Sequence, residues 1–169
     1  MDADMKVIRW LLLPVFLLVA CVVDDSEETT DPGESDIVKV GDRLPSFSVD
    51  VVDGDATYEF SSDRLTGRTV IVLFNTGCSD CQRELPELND YYQRHRDEPG
   101  FQMVAIAREE EAESIAAYWQ GNGLSIPYSP QSDRRVFNLF ANLTIPRVYI
   151  CSPLGIVEWI GIENFTIID

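Results

Sequence analysis

The chain has 169 residues, 29 of them acidic and 13 basic, for a net charge of −16. That balance excludes a nucleic-acid binder, whose phosphate contacts need a basic footprint, and it gives no direct attraction to an anionic membrane surface. The length suits one domain with a short N-terminal extension, and 45% hydrophobic residues can fill its core.

Residues 1–20, MDADMKVIRWLLLPVFLLVA, set Lys6 and Arg9 ahead of an apolar run from Trp10 to Val19. A basic start, a short apolar stretch and a small residue before a cut site read as a secretory signal peptide. The run is too short for a bilayer core of ~30 Å, which takes about 20 apolar residues. Leu18-Val19-Ala20-Cys21 resembles the lipobox of bacterial lipoproteins. The resemblance implies a lipidated Cys21 as the mature N-terminus, held in the membrane by several acyl chains. The expected location is outside the inner membrane, lipid-anchored, facing the periplasm or in the outer membrane. Residues 21–36 continue as an acidic linker with a Pro-Gly pair and little to bury, expected to be disordered. The folded domain is expected over 37–169.

Within that domain, Ser46–Val51 alternates, Asp53-Gly54 turns, and Thr57–Phe60 follows, which predicts a β-hairpin. Thr69-Val70-Ile71-Val72-Leu73-Phe74 is a continuous apolar run, suited to a strand covered on both faces. Residues 79–95 predict a helix, with Cys81, Leu85, Leu88 and Tyr92 on one side. A second buried strand is expected over 101–107. A helix is expected over 109–120, with Ile115 and Trp119 inward and Gly121 and Gly123 stopping it. A short strand near Leu124–Tyr128 should lead to a helix around 133–141 capped by Ser132. Arg147–Cys151 and Ile156–Ile160 should form a closing hairpin. Strands alternating with helices give an α/β fold around a central mixed sheet, extended at its N-terminus by the first hairpin.

Of the four cysteines, Cys78 and Cys81 form a C-x-x-C where the buried strand meets the helix. A thiolate is the nucleophile of disulfide exchange, and free N–H groups at a helix N-terminus favour it. A second thiol one turn later can resolve the mixed disulfide. Structural zinc is disfavoured: there is no second C-x-x-C, and the one histidine, His95, is ~21 Å along the helix from Cys81 at 1.5 Å per residue. Cys151 reads as a buried, inert thiol, ~17 Å along a strand from Pro146.

Gly41-Asp42-x-x-Pro45-x-Phe47, the apolar strand, the C-x-x-C and Ile145-Pro146 together resemble the thioredoxin-like superfamily. The nearest branch is the membrane-anchored thiol–disulfide oxidoreductases and related redoxins, whose C-x-x-E-x-P recurs in Cys81-Gln82-Arg83-Glu84-Leu85-Pro86. The resemblance implies Cys78 as the attacking thiol, Cys81 as the resolving one, and Glu84 as an acid able to take the Cys81 proton. It also implies a helix kinked at Pro86 and a cis-Pro146 facing the disulfide, with the Ile145 backbone offered to a bound peptide. Gly77 departs from the pattern, since an aromatic residue is usual there. A C-terminal helix is also usual, whereas here only Ile162–Asp169 follows the last strand.

These expectations describe an enzyme that reduces or exchanges disulfides of protein substrates. Its redox element would be the Cys78–Cys81 pair, with no organic cofactor or metal, and an electron-donor partner would reset it. Asp80 and Glu84 beside the pair disfavour the thiolate, which points to a low, reducing potential. Two other functions stay open. A thiol peroxidase would share the fold, although Thr76 lies only two residues before Cys78 and the peroxiredoxin proline is missing. A non-enzymatic lipoprotein binding a partner or a soft metal is the other.

Overall fold

The computed structural model describes residues 36–163, 166 and 167. The predicted signal peptide, Cys21 and the linker up to residue 35 lie outside the described residues.

Seven strands form one mixed sheet in the order β2-β1-β5-β4-β3-β6-β7. The N-terminal hairpin is β1 (Ser48–Asp53) and β2 (Ala56–Ser61), paired antiparallel around Asp53↔Ala56. The interior strand β3 (Thr69–Phe74) is buried along its whole length. It runs parallel to β4 (Gln102–Ala107) on one side and antiparallel to β6 (Arg147–Cys151) on the other. β5 is only Tyr128–Ser129, and β7 (Val157–Ile162) closes the sheet against β6. Burial on both faces is what an unbroken β-branched run permits and an alternating one does not.

Two helices cover one face. α1 (Ser79–His95) links β3 to β4, and α2 (Ala112–Asn122) links β4 to β5. Both crossovers join parallel strands and step the same way along the sheet, so right-handedness puts both helices on the same side. The segment that follows α2 packs on α1, where the Ser125 N–H donates to Asn89 Oδ1 at 2.8 Å. α1 buries Cys81, Leu85, Leu88 and Tyr92, the side expected from the spacing, together with Glu84 and Tyr91. It runs through Pro86, which is exposed, without ending there. α2 starts three residues later than expected and runs through Gly121. Its stop is Gly123, in the left-handed conformation at φ 64°.

The opposite face is packed by the segment between β5 and β6. Instead of the helix expected around 133–141, that segment makes turns and one 3₁₀ turn, Phe137–Leu139. Phe137 and Phe140 must both be buried, and a spacing of three aligns them in a 3₁₀ turn. Phe140 then packs on Tyr149 of β6 at 4.9 Å and on Phe47 at 5.6 Å between ring centroids. Ala141 bridges back to Asp36, whose carboxylate pairs with the fully buried Arg147. A close backbone crossing fixes Gly67 against Gly100, where a Cβ on Gly67 would come within 2.4 Å of the Gly100 oxygen.

Candidate active site

β3 ends at the buried Phe74, and the next four residues turn into α1. Side chains hold that turn from both sides. Asn75 Oδ1 accepts the Gly77 N–H at 2.8 Å, and the Cys78 N–H donates to the Asn75 carbonyl at 3.1 Å. Asn75 Nδ2 reaches across to the Arg108 carbonyl at 2.9 Å, and Gln82 Nε2 donates to the Thr76 carbonyl at 2.7 Å. Beneath the turn lies a buried carboxylate, Glu110. It accepts the Thr76 N–H at 2.7 Å, the Thr76 hydroxyl, and the Ser114 hydroxyl at 3.0 Å.

This turn sets Cys78 at the N-cap of α1, half-buried, with the unpaired N–H groups of the first helical turn around it. Its thiol donates to the Ile145 carbonyl at 3.7 Å. The Ile145–Pro146 peptide bond is cis, and both residues are buried. Gly77 is exposed beside Cys78. One turn into the helix, Cys81 is fully buried behind Cys78. Burial is the main cause that pushes its thiol far up from the ordinary 9.0. A backbone hydrogen bond from Asn75 pulls it down, the adjacent Cys78 pushes it up, and the Arg108 guanidinium pulls it down.

Glu84 is buried, and its carboxylate accepts from Arg83 Nε at 3.0 Å. The same guanidinium donates to Asp80 at 2.7 Å through Nη1. Both acids read from the sequence as a negative field on the pair are therefore bound to one cation, and Glu84 has no hydrogen bond to either thiol. Cys151 is buried opposite Thr69, at the far end of β3 from the thiol pair. His95 stacks on Tyr91 at 4.3 Å and pairs with Glu98. Among the described residues no group of three or more His, Cys, Asp or Glu is placed to hold a metal ion.

Sequence reasoning missed Glu110 and Arg108. Both fall in the run Arg108-Glu109-Glu110-Glu111, which resembles the charged first turn of a helix. The available signal was position: they leave β4, the parallel neighbour of the strand that carries the C-x-x-C.

Residues 40–160 match the model of the AhpC/TSA family. The chain belongs to that family. The match takes in the hairpin, both helices, the C-x-x-C and the cis-proline loop. Among curated relatives of this family member is the "Thiol-disulfide oxidoreductase ResA" of Oceanobacillus iheyensis, 25% identical over 148 residues, covering 85% of this chain and 71% of the relative. StoA from Bacillus subtilis shares the fold at TM-score 0.58 and 17% identity, over 73% of this chain and 91% of that one. Enterococcus faecalis AhpC does so at TM-score 0.58 and 15% identity, over 76% and 83%. The fold is thus thioredoxin-like, and the kinship is with oxidoreductases.

Proposed function

We propose that this family member is a thiol–disulfide oxidoreductase whose Cys78–Cys81 pair cycles between dithiol and disulfide on protein substrates. The reading is carried by one observation: a half-exposed thiol at a helix N-terminus, bonded to the carbonyl before a cis-proline, with a buried thiol behind it. The Cys78 thiolate attacks a substrate disulfide. A mixed disulfide forms, and the first substrate sulfur leaves as a thiolate. Cys81 then loses its proton and attacks Cys78 Sγ, expelling the second substrate sulfur and closing the Cys78–Cys81 disulfide. Two electrons have passed to the substrate, and an electron-donor dithiol must return them. Glu84 lies one turn from Cys81 and is the proposed acceptor of its proton, once Arg83 releases the carboxylate. The exposed Gly77 leaves room beside Cys78 for a substrate chain, and the Ile145 backbone offers it strand-like hydrogen bonds.

The anchor is part of the proposal: a lipid on Cys21 and the acidic linker after it would tether the domain outside the inner membrane. No helix among the described residues is long and apolar enough to cross a membrane. Membership of the AhpC/TSA family keeps a peroxidase in view, but the Thr76 hydroxyl gives its one proton to Glu110 and cannot also donate to a peroxide at Cys78.

The test is a redox titration of the full chain in detergent, with alkylated cysteines counted by mass spectrometry at each potential. One reversible two-electron couple on Cys78 and Cys81, lost in Cys78→Ser, is expected. A pair that stays reduced across the accessible range would overturn the enzyme reading, and fast peroxide consumption dependent on Cys78 would replace it with a peroxidase.

A further inference from the structure

In the proposed cycle the second step is the difficult one, because Cys81 is fully buried and must become a thiolate to attack. The elements around it contribute few charges. On α1, Asp80 and Glu84 are both bound to Arg83. Glu110, behind the turn, is engaged by Thr76 and Ser114. From α2 comes the Tyr118 phenol, pushed up by burial and then by Cys81. At the end of β4 is Arg108, and beyond it on the facing segment Arg134 with Glu109.

Arg108 is the cation tied into the thiol site. Its N–H donates to Phe74 and its carbonyl accepts from Asn75, the residue whose backbone also bonds Cys81. Its guanidinium lies over the Phe137 ring at 5.1 Å and donates through Nη1 to the Leu143 carbonyl, two residues before the Ile145 carbonyl that receives Cys78. Nε is buried and has no hydrogen-bond partner among the described residues. Among the described residues the guanidinium meets a ring and a carbonyl, and no carboxylate forms an ion pair with it. Burial, then the neighbouring Arg134, hold the guanidinium below its ordinary value, whereas Glu109 and both thiols pull it up.

We propose that Arg108 is a positioning residue for the resolving step: wedged between Phe137 and the Leu143 carbonyl, it supplies the positive charge that favours the Cys81 thiolate as it attacks the mixed disulfide. This rests on the reading of Cys78–Cys81 as a cycling pair. Arg108 neither gains nor loses a proton or a sulfur bond. The Cys81 proton leaves to the base, the electron pair goes to the departing sulfur, and Arg108 steadies the negative charge between them.

The experiment uses the reduced full chain with 5,5′-dithiobis(2-nitrobenzoate). The first equivalent of thionitrobenzoate reports attack by Cys78, and the second reports Cys81 displacing it from the mixed disulfide. At neutral pH the second phase is expected to slow about three- to tenfold in Arg108→Gln, with its pH midpoint moved upward. Arg108→Lys should restore most of the rate, because it keeps the charge without the planar fork. An unchanged second phase and midpoint in a folded Arg108→Gln protein would overturn the proposal. Equal damage in Gln and Lys variants, with lost near-ultraviolet dichroism, would make Arg108 a mere strut for the Leu143 loop. If the wild type releases only the first equivalent, the cycling reading fails instead. Arg108 is then judged by iodoacetamide labelling of Cys81, whose pH midpoint must still rise in Arg108→Gln.

Discussion

Cys151 sits at the far end of β3 from the thiol pair, fully buried beside Thr69, and burial first, with Glu158 adding to it, pushes its thiol from 9.0 up to about 12. Cys81 moves the same way. A raised thiol keeps its proton in the folded chain while the unfolded chain gives it up. Its contribution is complete below about pH 9 and is lost as pH climbs toward 12. Each unit above 9 should cost about 1.4 kcal/mol per such thiol. Urea unfolding between pH 8 and 10.5 checks this, with Cys151→Ala as the comparison. The variant should start less stable, because it leaves a small cavity, but fall less steeply above pH 9. Parallel slopes would mean that Cys151 does not titrate this way. Iodoacetamide at pH 8 should label Cys78 quickly and Cys151 only on unfolding.

At the level of elements, the turn between β3 and α1 depends on a carboxylate from the neighbouring strand. Glu110 satisfies the buried Thr76 N–H and hydroxyl, so removing it strands a backbone donor beneath the reactive thiol. Glu110→Ala should cost about 2–4 kcal/mol by urea unfolding, and Glu110→Gln less, since the amide oxygen can still accept one bond. The alanine variant should also change the Cys78 alkylation rate, because the turn that seats Cys78 on the helix is loosened. A stability loss with an unaltered Cys78 rate would confine Glu110 to folding. The central strands and α1 were legible because periodicity and burial agree there: the Thr69–Phe74 run is buried at every position, and α1 begins at Ser79, as read. The thiol pair and the cis-proline were legible from local motifs. The segment 133–141 was not. Its buried Val136, Phe137, Phe140 and Ala141 match a helical spacing, yet Arg134 bonding the Asn142 carbonyl and the Ala141 bridge to Asp36 fix it as turns. Glu110 and Arg108 were equally hidden, since the residues of the thiol turn that they bond, Thr76 and Asn75, lie more than thirty residues away in sequence.

The whole molecule carries −16, and the arginines around its site offset little of it: Arg83 on α1 pairs with Asp80 and Glu84, Arg134 pairs with Glu109, and Arg108 after β4 lies on a ring. These act at different ranges. The net charge is felt by an approaching partner over about a Debye length, ~10 Å at 0.1 M salt, whereas a paired or ring-stacked arginine acts mainly at contact. The long-range field should therefore govern encounter and favour substrates with basic residues around their disulfide. In stopped-flow exchange with matched disulfide peptides, the lysine-bearing peptide should outpace the glutamate-bearing one by about tenfold at low salt. The two rates should converge toward 1 M salt, where the Debye length is about 3 Å. Arg83→Gln should widen the low-salt ratio a little by adding to the negative field, since it frees Asp80 and Glu84. If the glutamate peptide were faster at low salt, the arginines at the site, not the net charge, would set substrate preference, and the partner to look for would be acidic.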